Sequence, residues 1–360
     1  MRPANSSDGP TGRARIGAAA SPTARWRPPA VDTAWLARLS EEIIDPALPI
    51  VDCHHHLWDL AGYRYFLDDL LADLDTGHDV EATVFVQCGY AYLAEGPEEL
   101  RPIGETRRIA AIAAEAAQRG SRRRIAAAIV GFADLRLAGM VDAVLEAHVV
   151  AAGGRFRGIR MISALDSAVE RHLLPPPPAN LLADRAFRAG FSRLSRFDLS
   201  FDAWLYHPQI PELADLAGAF PETPIVLNHM GGVLGIGSYK TRSHDVFQYW
   251  RRSILELARH PNVHAKLGGV GLWVSGRDYH LAPLPASSGQ LADDWRPYID
   301  TCIEAFGVDR CMFESNFPVD KAACSYAVLW NAYKRLTAGA SAGEKAALFH
   351  DTARRFYRLF

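Results

Sequence analysis

The sequence predicts an α/β fold, a (β/α)8 TIM barrel of eight parallel strands with extended βα loops. Three observations lead there. Eight short apolar, β-branched runs recur along the chain, helix-period segments lie between them, and several runs end in residues able to do chemistry. Strands alternating with helices imply a parallel sheet, and eight such units imply closure.

Residues 1–30, rich in Gly, Pro, Ser, Ala and Arg, have little to pack and read as a flexible, disordered tail ahead of one domain spanning 31–360. VDTAWLARLSEEI (32–44) predicts a short amphipathic helix, and LPIVDCHHH the first strand. EATVFVQC (81–88), RIAAAIVGFADL (124–135), RFRGIRMI (155–162) and LSFDAWLY (199–206) predict strands two to five. TPIVLNH (223–229), NVHAKLGG (262–269) and RCMFESNF (310–317) complete the eight. Helical spacing covers 105–118, 139–151, 209–219, 244–259 and 293–306. Ser341 and Glu344 form a capping box that opens a last helix. The prolines of 175–178 and the glycine-rich stretch 231–237 mark long βα loops, where a barrel carries substrate contacts.

With 360 residues, 49% of them hydrophobic, the chain can bury one large core. A net charge of −2 without a run of one sign gives nucleic acid or an anionic membrane nothing to hold. No apolar run approaches the ~20 residues of a membrane span. The N-terminus lacks the apolar core of a secretory signal, and the five cysteines show no paired spacing, so reduced thiols in the cytoplasm are expected. The expected partner is a small-molecule substrate.

In a closed parallel barrel all the strands' carboxyl ends meet on one face. Distant residues then become one cluster: His54, His55 and His56 after strand one, His207 after five, His229 after six, Lys266 at the end of seven, and Glu314 with Asn316 on eight. Asp52, His54 and His56 alternate along a strand and are expected to share a face, with His55 turned away. Two imidazoles spaced in this way can reach one divalent ion. His207 is a candidate third ligand, although Pro208 beside it equally suits a surface turn.

IVDCHHHLWD, FRGIR, VLNHMGG and MFESNFPVD, in that order, resemble the amidohydrolase superfamily and its lactonase-like branch of metal-dependent hydrolases over roughly residues 45–360. The resemblance implies a (β/α)8 barrel, a divalent metal such as Zn2+ at His54 and His56, and His229 as ligand or acid/base. It allows a homodimer. It also implies that Arg160 grips an acidic substrate group; Arg157, three residues earlier and on the other side of an extended strand, is a second candidate substrate contact. Gln87, Tyr92 and Trp58 are candidate wall residues, with Trp58 equally suited to packing. Lys266 either touches substrate or pairs with a strand-end acid.

The eighth strand departs from the family pattern. Asn316 stands where the superfamily usually has an aspartate that binds metal and takes a proton from water. An amide can do neither as a base or an anion. Glu314, Asp320 or His229 must then supply the base, or the site works without metal. The expected reaction is hydrolysis of a lactone or similar cyclic ester. The alternatives are non-oxidative decarboxylation of a cyclic or aromatic acid, and a ligand-binding descendant without catalysis.

Overall fold

The computed structural model describes residues 29–60, 63–169 and 176–360, so the predicted tail lies almost wholly outside them. The described residues form ten strands: β1 (Pro49–His55), β2 (Trp58–Leu60), β3 (Tyr63–Tyr65), β4 (Asp79–Val86), β5 (Arg124–Gly131), β6 (Phe156–Ile159), β7 (Ser200–Ala203), β8 (Ile225–Leu227), β9 (Val263–Leu267) and β10 (Cys311–Phe313). Eight of them make one parallel sheet in the order β1-β4-β5-β6-β7-β8-β9-β10. The sheet closes where Asn316 N–H donates to the His54 carbonyl at 2.8 Å and His56 N–H to the Phe317 carbonyl at 2.7 Å. These eight are the strands that the apolar runs predict. β2 and β3 form a small antiparallel hairpin after β1.

The strands read as near-continuous apolar runs because both faces are covered. One apolar cluster lies inside the barrel, where Val51, Cys53, Val84, Val130 and Met312 meet Tyr357 and Leu359 of the C-terminal end. That end closes the floor: Arg157 donates to the Tyr357 carbonyl, and Arg124 at the start of β5 lies over the Phe360 ring. A larger cluster fills the layer between strands and helices.

Helices run over 103–118, 141–151, 210–219, 243–257, 288–306 and 326–336. The one predicted from 293 starts at Ser288, because the Ser287 hydroxyl caps it by accepting from Gln290 N–H at 3.1 Å. Ser341 and Glu344 form the capping box that their spacing predicts. The helix expected over 32–44 is one turn, Thr33–Leu36. Beyond it, tertiary hydrogen bonds replace helical ones: Glu41 accepts from Ser288 N–H at 2.8 Å, and Ile44 N–H donates to the Asn331 side chain at 2.9 Å.

The expected common face of Asp52, His54 and His56 also needs correction. The β1–β4 register slips between Asp52 and His55, so strict alternation fails there. Asp52 instead turns toward the helix layer, accepting from Ser315 N–H at 2.9 Å and the Tyr326 hydroxyl at 3.0 Å. Burial pushes its carboxyl up to about 6. His55 faces away from the mouth, as expected, with its ring edge toward Phe85.

Candidate active site

The carboxyl ends of the strands meet beneath a cavity of about 460 Å³. At its base Glu314, just past β10, is fully buried and reaches two imidazoles. Its Oε1 lies 2.6 Å from His229 Nδ1 and accepts from His229 N–H at 3.1 Å. Its Oε2 lies 2.7 Å from His54 Nδ1 but off hydrogen-bond alignment, which leaves a buried oxygen with an unspent lone pair. The two imidazole centroids are 4.7 Å apart.

Local backbone makes this approach possible. His229 sits at φ +54°, in the left-handed region, so it turns sharply off β8. Gly269 after β9 has φ +68°, and a Cβ there would lie 2.6 Å from the His229 Cβ. Gly268 leaves room for the Glu314 side chain in the same way. The tandem glycine after the seventh barrel strand is therefore the cradle of the acid–imidazole pair.

Two cations flank His54. Lys266 Nζ stands 3.4 Å from its Nδ1 and Arg160 Nη1 3.3 Å from its Nε2. Burial, with Lys266 next, holds the His54 imidazole well below its usual range, so it is neutral. Lys266 is neutralised by Asp202 at 2.7 Å. Asp202 also accepts from Asn228 at 3.1 Å and from the Tyr357 hydroxyl at 3.0 Å, and the Lys266 ammonium lies 5.2 Å over the Tyr357 ring. Arg160 is different. It is buried, donates to the Gln87 carbonyl, and has no carboxylate partner among the described residues.

His56 faces the cavity. Its Nδ1 lies 2.8 Å from the Val86 carbonyl, which can only accept, so Nδ1 carries the proton and Nε2 the lone pair. Burial and then Arg160 hold its imidazole low. Trp58 stacks on it at 5.6 Å, and Trp204 meets His229 edge-on at 4.7 Å.

Of the residues expected at the mouth, His56, Trp58, Gln87, Tyr92, Arg160, His229 and Asn316 line the cavity, with His54, Lys266 and Glu314 directly below. Asp320 stands behind Asn316, accepting from its amide at 2.8 Å and from Gly271 N–H at 3.1 Å. Two expected residues are not brought in. His207 turns with Pro208 into a 3-10 turn, and its Nδ1 accepts from Leu234 N–H at 3.2 Å. Arg157 spends its guanidinium on the Tyr357, Gly154 and Phe156 carbonyls at the barrel floor. The sequence reading missed Asp202, whose signal was a lone acid inside an apolar strand, and Trp204, Trp273 and Arg136 on the cavity wall.

His54, His229 and Glu314 bring ligand atoms within 4.8 Å of one another. Two imidazoles and a carboxylate are a donor set of catalytic zinc sites, and the unspent Glu314 oxygen is the kind of atom a cation satisfies. The residues fit a divalent ion, though not as the expected trio of His54, His56 and His207. Lys266 and Arg160 next to His54 lower the affinity of such a site for further positive charge.

A barrel with this mouth is the architecture of metal-dependent hydrolases, and residues 51–359 match the amidohydrolase family model. The chain belongs to the amidohydrolase family. It is 33% identical over 87% of its length to an uncharacterized protein of Sinorhizobium fredii, covering 99% of that protein. It is 28% identical over 86% of its length to an L-fucono-1,5-lactonase of Burkholderia ambifaria, covering 95% of that enzyme. Among solved structures, an amidohydrolase from Burkholderia multivorans with bound zinc superposes with a TM-score of 0.67 at 24% identity, over 86% of this chain and 99% of that one.

Proposed function

We propose that the protein hydrolyses a lactone, water attacking the ring carbonyl beside His229. The observation that carries this reading is the 2.6 Å contact between Glu314 and His229 Nδ1 at the base of the cavity. A carboxylate accepting Nδ1–H leaves the Nε2 lone pair free, which is the state of a general base. His229 Nε2 takes a proton from water as the water oxygen bonds to the acyl carbon. The acyl C–O bond of the ring breaks, and the imidazolium returns the proton to the departing alkoxide. The product is a hydroxy acid. Glu314 stabilises the imidazolium. Arg160, a buried cation without a carboxylate partner among the described residues, attracts the negative charge that develops on the carbonyl oxygen and then the product carboxylate. Were a divalent ion held by His54, His229 and Glu314, it would take up the His229 lone pair and supply Lewis-acid polarisation of the carbonyl in place of that imidazole's role as base. The similarity to L-fucono-1,5-lactonases supports the same reaction class.

A second reading, decarboxylation of a cyclic acid, draws on the same buried Arg160. A pH-stat assay separates the two, because lactone opening releases acid and decarboxylation releases carbon dioxide. Glu314→Gln and His229→Asn are each expected to cut kcat/KM by about 100-fold or more, in the range of general-base catalysis. No acid release across γ- and δ-lactones, or full activity in both variants, would overturn the proposal.

A further inference from the structure

The cavity wall is mostly apolar, and that bears on which lactone fits. The loops after the strands build an apolar cluster of their own, separate from the two barrel clusters, around Trp58, Tyr206, Leu272 and Val274 with Trp204 and Trp273 packed on it. Its inner face is the cavity wall. The apolar surface begins at the reacting groups themselves, since Trp58 stacks on His56 and Trp204 abuts His229.

Several of the polar groups on the wall are already engaged. Gln87 donates to the Arg160 carbonyl at 3.3 Å, and Asn316 to Asp320 at 2.8 Å. Arg136 holds Asp134 through Nε at 2.9 Å and Nη2 at 2.7 Å. His56 spends Nδ1 on Val86, and His229 spends Nδ1 on Glu314. What these groups leave for a ligand is a few acceptors and the Arg160 charge near the reacting centre, together with the remaining Arg136 N–H groups and the Tyr92 and Tyr206 hydroxyls. A sugar lactone carries several hydroxyls around its ring. Each one buried against an aromatic wall without a partner gives up its hydration and gains no hydrogen bond in return. An aryl or alkyl group on the same wall instead gains in proportion to the apolar area it removes from water.

Resting on the lactonase reading, we infer that the preferred substrate is a lactone bearing an aryl or alkyl group rather than a polyhydroxylated sugar lactone. The reactive carbonyl sits at His229 and Arg160, and the apolar group lies against Trp58, Trp204, Tyr206 and Trp273. A cavity of about 460 Å³ has room for a ring with one such group.

The test compares dihydrocoumarin and γ-phenyl-γ-butyrolactone with L-fucono-1,5-lactone and D-glucono-1,5-lactone, each rate divided by that lactone's hydroxide-catalysed rate. The normalised kcat/KM is expected to be at least tenfold higher for the aryl lactones. Trp273→Ala is expected to shrink that ratio by raising KM for the aryl lactones alone. Equal or better use of the sugar lactones would overturn the inference and leave the lactonase reading standing. A binding arm, tryptophan fluorescence quenching by 3-(2-hydroxyphenyl)propanoate against L-fuconate, separates the two claims. If no lactone is turned over but only the aryl acid quenches, the reaction reading fails and the ligand class holds. If L-fuconate binds as well as the aryl acid, or neither binds, the ligand class fails.

Discussion

Asn316 donates its amide to Asp320 across 2.8 Å, so an acidic side chain stands directly behind the position where the family usually places one. Burial pushes Asp320 up to about 8 from 3.8, the Gly271 N–H and the Asn316 amide only partly opposing it. The native state therefore holds a proton that the unfolded chain releases near pH 4. Stability falls as pH rises through that window, because the native state binds more protons than the unfolded one. Asp320→Asn removes this slope. Its melting temperature relative to the parent is expected to rise between about pH 5 and about pH 8, read by calorimetry. Parallel curves would contradict the assignment.

Arg160 and Arg157 are three residues apart and work at opposite ends of the barrel. Arg160→Lys loses the fork that reaches Gln87 and His54 together, and kcat/KM should fall about 10- to 100-fold, or about 1.4–2.8 kcal/mol. Arg157→Lys, at the floor, should leave kcat/KM within about twofold. Steady-state kinetics on one lactone decides both.

Gly269→Ala should separate strain from catalysis. The left-handed φ of +68° costs an alanine about 1 kcal/mol, and its Cβ presses on the His229 ring. Gly120→Ala is the control, a left-handed Schellman position after the helix 103–118 with φ +78° and nothing within 4 Å of the added Cβ. Both variants should lose stability in urea, Gly269→Ala the more because of the overlap, but only Gly269→Ala should lose most of its kcat. Equal kcat in the two would show that the cradle does not position His229.

Metal retention tests the donor set directly. After incubation with zinc and desalting, the parent is expected to keep about one equivalent by elemental analysis. Glu314→Gln should keep far less, whereas His207→Gln, bonded elsewhere, should match the parent. Loss of zinc in His207→Gln alone would restore that histidine to the site.

The barrel was legible because parallel strands buried on both faces leave long β-branched runs, and all eight runs found their strands. The site was legible wherever a reactive side chain ended such a run, as with His54, His229 and Glu314. Local geometry defeated the rest. A register slip turned Asp52 outward, and Pro208 took His207 into a turn. The aromatic wall was hidden because Trp204 and Trp273 look like ordinary core residues until loops fold over the mouth. Asp202 was legible only as a charge in the wrong company, and its partner Lys266 lies 64 residues away.

Tyr357 reaches up from the closed floor to hold Asp202, and Asp202 holds Lys266. The far end of the molecule is thereby wired to the reaction chamber. Carboxypeptidase trimming past Tyr357, or cargo fused where it tugs on this residue, would unseat the lysine's counter-ion while the helices stay in place.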